Sequence, residues 1–180
     1  LTIKRMDDGF ASNYIFDNWQ VGTVIEASAP QGEFVFEPLR DARNIVGLAG
    51  GSGITPFYSM AQAIADGTED ATLTLLYGSR RHDEILLKEE LEALAASCDR
   101  IKVVHVLSDD PDAEGYEKGF LTAELIKKYA PDNDFSIFVC GPGDMYRFLE
   151  KELAKLGLLQ RRIRYELSGD CRNPENDQDF

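Results

Sequence analysis

The stretch with the clearest chemical meaning is Gly50-Gly51-Ser52-Gly53-Ile54-Thr55-Pro56. It follows an apolar run and precedes a helical pattern. Glycines at such a junction let backbone come close to a ligand, and the first N–H groups of the helix point outward at its positive dipole end. That combination suits a phosphate. The loop is neither G-x-G-x-x-G nor a Walker A loop, because no Gly-Lys-Ser/Thr follows. The bland alternative is a plain strand-to-helix turn, but such a turn has no need of three glycines in four positions. Gly50, Gly51, Ser52, Gly53, Thr55 and Pro56 are therefore candidate phosphate or dinucleotide ligands.

Two more junctions share this character. Cys140-Gly141-Pro142-Gly143-Asp144-Met145 again joins the end of an apolar run to the start of a helical one. Cys140, Gly141, Pro142, Asp144 and Met145 become candidates with it. The competing reading of Cys140 is a small buried residue. Tyr77-Gly78-Ser79-Arg80-Arg81 closes another run. In a dinucleotide fold the adenosine ribose lies here, and an acidic residue would bind the 2′-hydroxyl of NAD. A hydroxyl and a guanidinium instead suit the 2′-phosphate of NADP. Ser79, Arg80 and Arg81 thus tilt the reading toward NADP over NAD. Both stay open, as does the view that one arginine is a solvated loop charge.

Other chemistries find little support. His82 and His105 have no serine or cysteine partner at a recognisable spacing, so a hydrolytic triad is not expected. Cys98, Cys140 and Cys171 form no C-x-x-C pair, which argues against a disulfide scaffold, a zinc site or an iron–sulfur cluster. The formal charge of −13 opposes a general role on nucleic acid or on an anionic membrane surface. No apolar run approaches the ~20 residues of a membrane span, and no signal peptide is visible at Leu1. The expected setting is a reducing cytoplasm. Glu89, Glu90 and Glu92 read as the wet face of a helix.

The elements that must position these loops can be read from the pattern. Five short apolar runs, Ile45–Ala49, Leu73–Tyr77, Ile101–Leu107, Phe135–Cys140 and Ile163–Leu167, are separated by helical segments. That alternation predicts an α/β fold with a five-stranded parallel, doubly wound sheet of order 3-2-1-4-5. Its switch point lies between the first and fourth strands, which carry two of the glycine loops. Thr55 should cap a helix running through Phe57–Asp66 to Gly67, with Pro56 at its first position. Further helices are expected over Asp83–Ala96, after a Thr122 cap, and along the stripe of Met145, Phe148, Leu149, Leu153 and Leu156.

Upstream, Leu1–Arg5, Thr23–Ser28 and Glu33–Glu37 are strand candidates. The chain divides near Pro38–Ala42: residues 1–38 form a small β segment, 39–168 the α/β domain, and 169–180 a tail or linker. Two or three strands cannot close a barrel alone, so the first segment must pair with something outside this chain or pack on the α/β domain.

Together the loops resemble the ferredoxin–NADP reductase superfamily. Gly50–Pro56 is similar to its first nicotinamide-nucleotide loop. Tyr77-Gly78-Ser79-Arg80 with Asp83-Glu84-Ile85-Leu86 and Glu89-Glu90-Leu91 resembles its second. Cys140-Gly141-Pro142 with Met145 resembles its third. Gly9-Phe10-Ala11-Ser12-Asn13-Tyr14 is similar to the family's flavin pyrophosphate segment, and Ala29-Pro30-Gln31-Gly32-Glu33-Phe34 to the end of its flavin barrel. The first β segment is then a partial antiparallel barrel. The family's Arg-x-Tyr-Ser/Thr flavin motif is absent, and about half the barrel with it.

The resemblance implies an NAD(P)H-dependent flavin oxidoreductase module. A hydride passes from the nicotinamide to FAD, and electrons go on to an acceptor such as a ferredoxin or a fused iron–sulfur domain. Ser12 and Asn13 would touch the FAD pyrophosphate; Ser12 as the N-cap of a helix over Asn13–Trp19 is the competing or concurrent role. Cys140 would lie against the nicotinamide, Thr55 near the nicotinamide or flavin, and Glu166 beside the redox centre. An ordinary strand-end charge is the alternative for Glu166. The runner-up function is a non-catalytic nucleotide-binding or electron-transfer subunit of a larger redox complex.

Overall fold

A computed structural model describes residues 2–3, 5–29, 32–111, 114–132 and 134–166. The chain divides into two compact units, Leu1–Val35 and Phe36–Phe180.

Among the described residues of the first unit the one regular element is helix α1 (Phe10–Asn18). Its N-cap is Gly9, without a side-chain cap bond. The helix therefore begins ahead of the expected Asn13 start. The Ser12 hydroxyl instead accepts from Met6 N over 3.1 Å and donates to the Gly9 carbonyl over 3.2 Å. The expected strands Thr23–Ser28 and Glu33–Glu37 are not strands, and neither are the described residues of Leu1–Arg5. No barrel ladder exists among the described residues of this segment. A strand needs a paired neighbour to satisfy its backbone, and these short segments offer none to each other. No described residue of this unit is buried. Phe10, Tyr14, Phe16, Val21 and Val24 are all exposed.

The described residues of the second unit hold a six-stranded sheet. The strands are β1 (Asn44–Gly50), β2 (Thr72–Ser79), β3 (Ile101–Leu107), β4 (Glu117–Lys118), β5 (Phe135–Cys140) and β6 (Ile163–Tyr165). Their order is β4-β3-β2-β1-β5-β6, and every pairing is parallel. The five expected runs keep the expected order. The two-residue edge strand β4 is additional, too short and too polar to signal itself. Leu167, expected to end the last strand, lies outside the described residues.

The helices are α2 (Thr55–Ala65), α3 (Lys88–Ser97), α4 (Ala123–Tyr129) and α5 (Gly143–Ala154). Strand side chains alternate between two faces. One face carries Val46, Leu48, Leu76, Val106, Ile137 and Val139, packed with Ile126, Leu149 and Leu153 from α4 and α5. The opposite face meets α2, where a Cβ on Gly47 would stand 2.8 Å from the Phe57 ring. Burial of each such large side chain stabilises by about 1.5–3 kcal/mol.

Some helix boundaries depart from expectation. Thr55 does not cap α2. Gly51–Ile54 winds a 3-10 turn that runs straight into the helix, so Thr55 is already helical and its hydroxyl donates to the Ser52 carbonyl over 3.3 Å. The expected Asp83–Ala96 helix starts only at Lys88, after a 3-10 turn at His82–Glu84 and a left-handed Leu87 (φ 55°). Thr122 does cap α4, its Oγ1 accepting from Leu125 N over 3.3 Å. Arg162 pairs with the exposed Asp134, and Arg164 with the fully buried Asp41 carboxylate, so both charges are already matched. No helix among the described residues is long and apolar enough to cross a membrane.

Candidate functional site

The site follows from the sheet order. β1 and β5 are parallel neighbours, with Ala49 level with Cys140. The chains leaving β1 and β5 at their carboxyl ends therefore emerge side by side. In doubly wound sheets this is where ligands bind.

The two glycine loops touch through backbone. A Cβ on Gly53 would stand 2.2 Å from the Cys140 carbonyl oxygen and 2.7 Å from Gly141 N. No side chain fits there, so glycine at 53 is the condition for the loops to meet. A Cβ on Gly50 would meet Met145 Sδ at 2.5 Å, and one on Gly141 the same sulfur at 2.6 Å. Met145 thus fills the space behind both loops. Gly51 takes φ +52°, a left-handed conformation that glycine adopts without penalty. Gly51 and Ser52 are exposed, and Gly53 and Ile54 are buried.

Two tyrosine hydroxyls brace these loops. Tyr77, with no exposed surface, donates its hydroxyl to the Gly51 carbonyl over 3.0 Å and accepts from Leu86 N over 3.3 Å. Tyr146, in the first turn of α5, accepts from Gly141 N over 3.3 Å and donates to the Glu166 carbonyl over 2.5 Å. Glu166 N in turn donates to the Val139 carbonyl over 2.9 Å. Cys140 and Glu166 are thereby held at one end of the sheet. Burial, and next the Glu166 carboxylate, push the Cys140 thiol up to about 11, against an opposing hydrogen bond from Tyr146. Cys140 is a neutral thiol at pH 7 and no nucleophile.

Pro142 is the N-cap of α5 and is exposed. Asp144 lies in the first turn, exposed, and pairs with Arg147. Pro56 lies in the first turn of α2.

The chain after β3 brings an unexpected pair of acids, Asp109 and Asp110, to the loop after β2. Arg80 pairs with Asp109 over 3.3 Å, and Arg81 with Asp83 over 3.3 Å. His82 donates its backbone N–H to Asp110 Oδ2 over 2.6 Å and places Nδ1 at 2.7 Å from the same oxygen. Ser108 N donates to the Ser79 carbonyl and Asp109 N to the Arg80 carbonyl. The chain beyond β3 is thus laced along the second loop. The Ser79 hydroxyl is buried beside Tyr77 and makes no hydrogen bond of good geometry among the described residues.

Ser12 and Asn13 lie in the first unit. The Asn13 side chain accepts from Arg5 Nε over 2.9 Å and donates to the Asp7 carbonyl over 3.1 Å, and Asn13 N donates to the Gly9 carbonyl. The Ser12 hydroxyl is also taken, as described above.

Sequence reasoning missed Tyr77, Tyr146, Asp109 and Asp110. The signal for Tyr77 was an aromatic hydroxyl at the end of an otherwise aliphatic run. The acids gave none, because their role depends on a register between loops nearly thirty residues apart.

Comparison with known proteins agrees with this geometry. A family model described as the oxidoreductase NAD-binding domain matches residues 48–151. The NADH-cytochrome b5 reductase 1 of Lodderomyces elongisporus is 37% identical over 162 residues, covering 87% of this chain and 53% of that protein. The cytochrome b5 reductase domain of Ulva prolifera nitrate reductase superposes with a TM-score of 0.76 at 26% identity, over 88% of this chain and 66% of that one. The flavohaem-like FAD/NAD-binding domain of a Vibrio cholerae nitric oxide dioxygenase does so at 0.76 and 26%, over 89% and 65%. The chain spans about half the length of the curated relatives it matches. The loop order, the switch-point crevice and the match over 48–151 converge: the chain belongs to the oxidoreductase NAD-binding domain family, within the ferredoxin–NADP reductase superfamily.

Proposed function

We propose that this chain is the NADH-binding part of a flavoprotein oxidoreductase that delivers electrons to a haem protein. The observation that carries the reading is the interlock of Gly53 with the Cys140–Gly141 backbone, at 2.2 Å for a hypothetical Cβ. It makes one continuous backbone cradle at the switch point, and the residues present fit a nicotinamide nucleotide. The first loop, Gly50 to Gly53 with Ser52, Thr55 and Pro56, faces the pyrophosphate with its N–H groups. Ser79, Arg80 and Arg81 border the adenosine ribose. Gly141, Pro142, Asp144 and Met145 shape the nicotinamide end.

The bound nicotinamide supplies a hydride to a flavin, which releases the electrons singly. The chain's own residues bind, orient and exclude water. Cys140, a neutral thiol, gives a soft wall for the nicotinamide. Glu166, fixed to the same strand end by Tyr146, orients the carboxamide. Ser12 and Asn13 are engaged within their own unit, so no flavin contact is assigned to them.

NADH is favoured over the NADPH toward which Ser79, Arg80 and Arg81 tilt the sequence reading. Arg80 is already paired by Asp109, and Asp110 stands on the same loop. A 2′-phosphate would sit among carboxylates. Relatives named as NADH-cytochrome b5 reductases point the same way, and favour a haem acceptor over a ferredoxin or a fused iron–sulfur domain. Fluorescence titration of this chain with NADH and NADPH tests the proposal. NADH is expected to bind more tightly; binding of neither overturns it.

A further inference from the structure

Tyr77 stands out among the groups that the nucleotide reading does not use. Its ring lies wholly inside the protein, on the sheet face shared with His105, 5.9 Å away between ring centroids. A phenylalanine would fill the same space. The hydroxyl is what differs, and its two bonds to backbone go to the first and second loops: it donates to Gly51 O at 3.0 Å and accepts from Leu86 N at 3.3 Å.

A trans peptide unit holds its carbonyl and its N–H in opposite directions. The Gly51 carbonyl points inward to Tyr77, so the Ser52 N–H of the same peptide plane points outward from the loop. At the start of a helical turn that N–H has no intrahelical acceptor. Gly51, at φ +52°, is the residue at which such a plane turns most easily. Without an inward anchor, the plane can rotate and present a carbonyl oxygen where a phosphate needs a donor.

We propose that Tyr77 is a positioning residue of the nucleotide site: its hydroxyl locks the Gly51–Ser52 peptide so that the Ser52 N–H is held out as a donor to the pyrophosphate. The inference rests on the nucleotide reading above. The same hydroxyl holds Leu86 at the far end of the second loop, so one buried atom sets the spacing of both loops. Burial also raises the Tyr77 hydroxyl above its ordinary value, and it remains a donor across the whole working range of pH.

The test uses the 180-residue chain, NADH, and two variants. Tyr77→Phe removes the lock. Ser52→Pro removes the donor itself. Three results are expected. The Ser52 amide resonance of the wild type moves on NADH addition. Each variant weakens NADH binding on the order of tenfold. The double variant binds no worse than Ser52→Pro alone, because the lock has nothing left to present. A Tyr77→Phe chain that binds NADH like the wild type overturns the proposal, as do losses that add fully in the double variant. A Ser52 amide unmoved by NADH in the wild type overturns it even where Tyr77→Phe does not fold. Absence of NADH binding to the wild type is a different failure, that of the nucleotide reading itself.

Discussion

The Tyr146 hydroxyl joins the Cys140 loop to the end of the sheet, donating to the Glu166 carbonyl over 2.5 Å while accepting from Gly141 N over 3.3 Å. Two candidate residues twenty-six positions apart in sequence share one brace. Tyr146→Phe is expected to lower stability by about 1 kcal/mol and to slow alkylation of Cys140 at neutral pH, because the hydrogen bond from Tyr146 is what favours the thiolate. In the wild type that alkylation is slow and accelerates as pH climbs toward about 11. Peptide mass spectrometry after timed iodoacetamide treatment reads both; an unchanged Cys140 rate in the variant would sink the idea.

Gly53→Ala is expected to be the most damaging single methyl in the chain. The added carbon meets carbonyl and amide backbone, which cannot swing aside as a flexible side chain would. Overpacking of this kind costs about 1–3 kcal/mol, and the two loops must part to relieve it. NADH titration and a thermal melt check this; a variant that keeps both affinity and midpoint contradicts the interlock.

His105 should make the fold acid-sensitive. It is buried between Tyr77 on β2 and Tyr116 ahead of β4, and faces Glu92 and Lys88 on α3, with Nε2 3.7 Å from the Glu92 carboxylate. Burial, with help from Lys88, holds it below its ordinary value of 6.5, and Glu92 only partly opposes this. The unfolded chain therefore takes up a proton that the folded one refuses. Stability is complete above about 6.5 and falls as pH drops from there toward the lower folded value. Denaturant melts from pH 7.5 to 5 should show the decline, and His105→Phe should flatten it. An equal slope in both chains would assign the effect to other groups.

Asp109 should govern the choice between the two nucleotides. Asp109→Asn frees Arg80 for a 2′-phosphate and removes a repelling charge, so NADPH affinity should rise by roughly tenfold, worth about 1.4 kcal/mol, with NADH little changed. Parallel titrations decide it. No gain for NADPH would place the 2′ position elsewhere.

The first unit should be the site of earliest cleavage. Its described residues include none that are buried, and its large apolar side chains face outward. Backbone with so few packed contacts opens at little cost. Limited proteolysis should cut between residues 5 and 35 before it touches the sheet, and intact-mass analysis of the time course would show it. First cuts within β1 to β3 would contradict the assignment.

The legibility of this fold followed the range of the interactions involved. The apolar runs ending at Ala49, Tyr77, Leu107 and Cys140 are buried on both faces, so each announces itself without help from the others, and parallel order then follows from alternation with helices. The glycine loops were equally plain, because close backbone approach excludes every other residue. The segment before Phe36 was not legible as structure: Thr23–Ser28 has strand-like composition, but a strand exists only with a partner. Nor could Thr55 be told from a cap, since the 3-10 turn ahead of it depends on the loop it packs against. The pairing of Arg80 with Asp109 lay outside reach for the same reason.

The contact of Gly53 with Cys140 and Gly141 also bears on how such a protein can be rebuilt. A loop that fits only against the backbone of another loop is not a portable cassette. Grafting Gly50–Pro56 from a relative, without the matching Cys140–Met145 turn, would import a shape whose mould stayed behind. Chimaeras in this family should survive when the breakpoints carry both turns together and fail when they separate them.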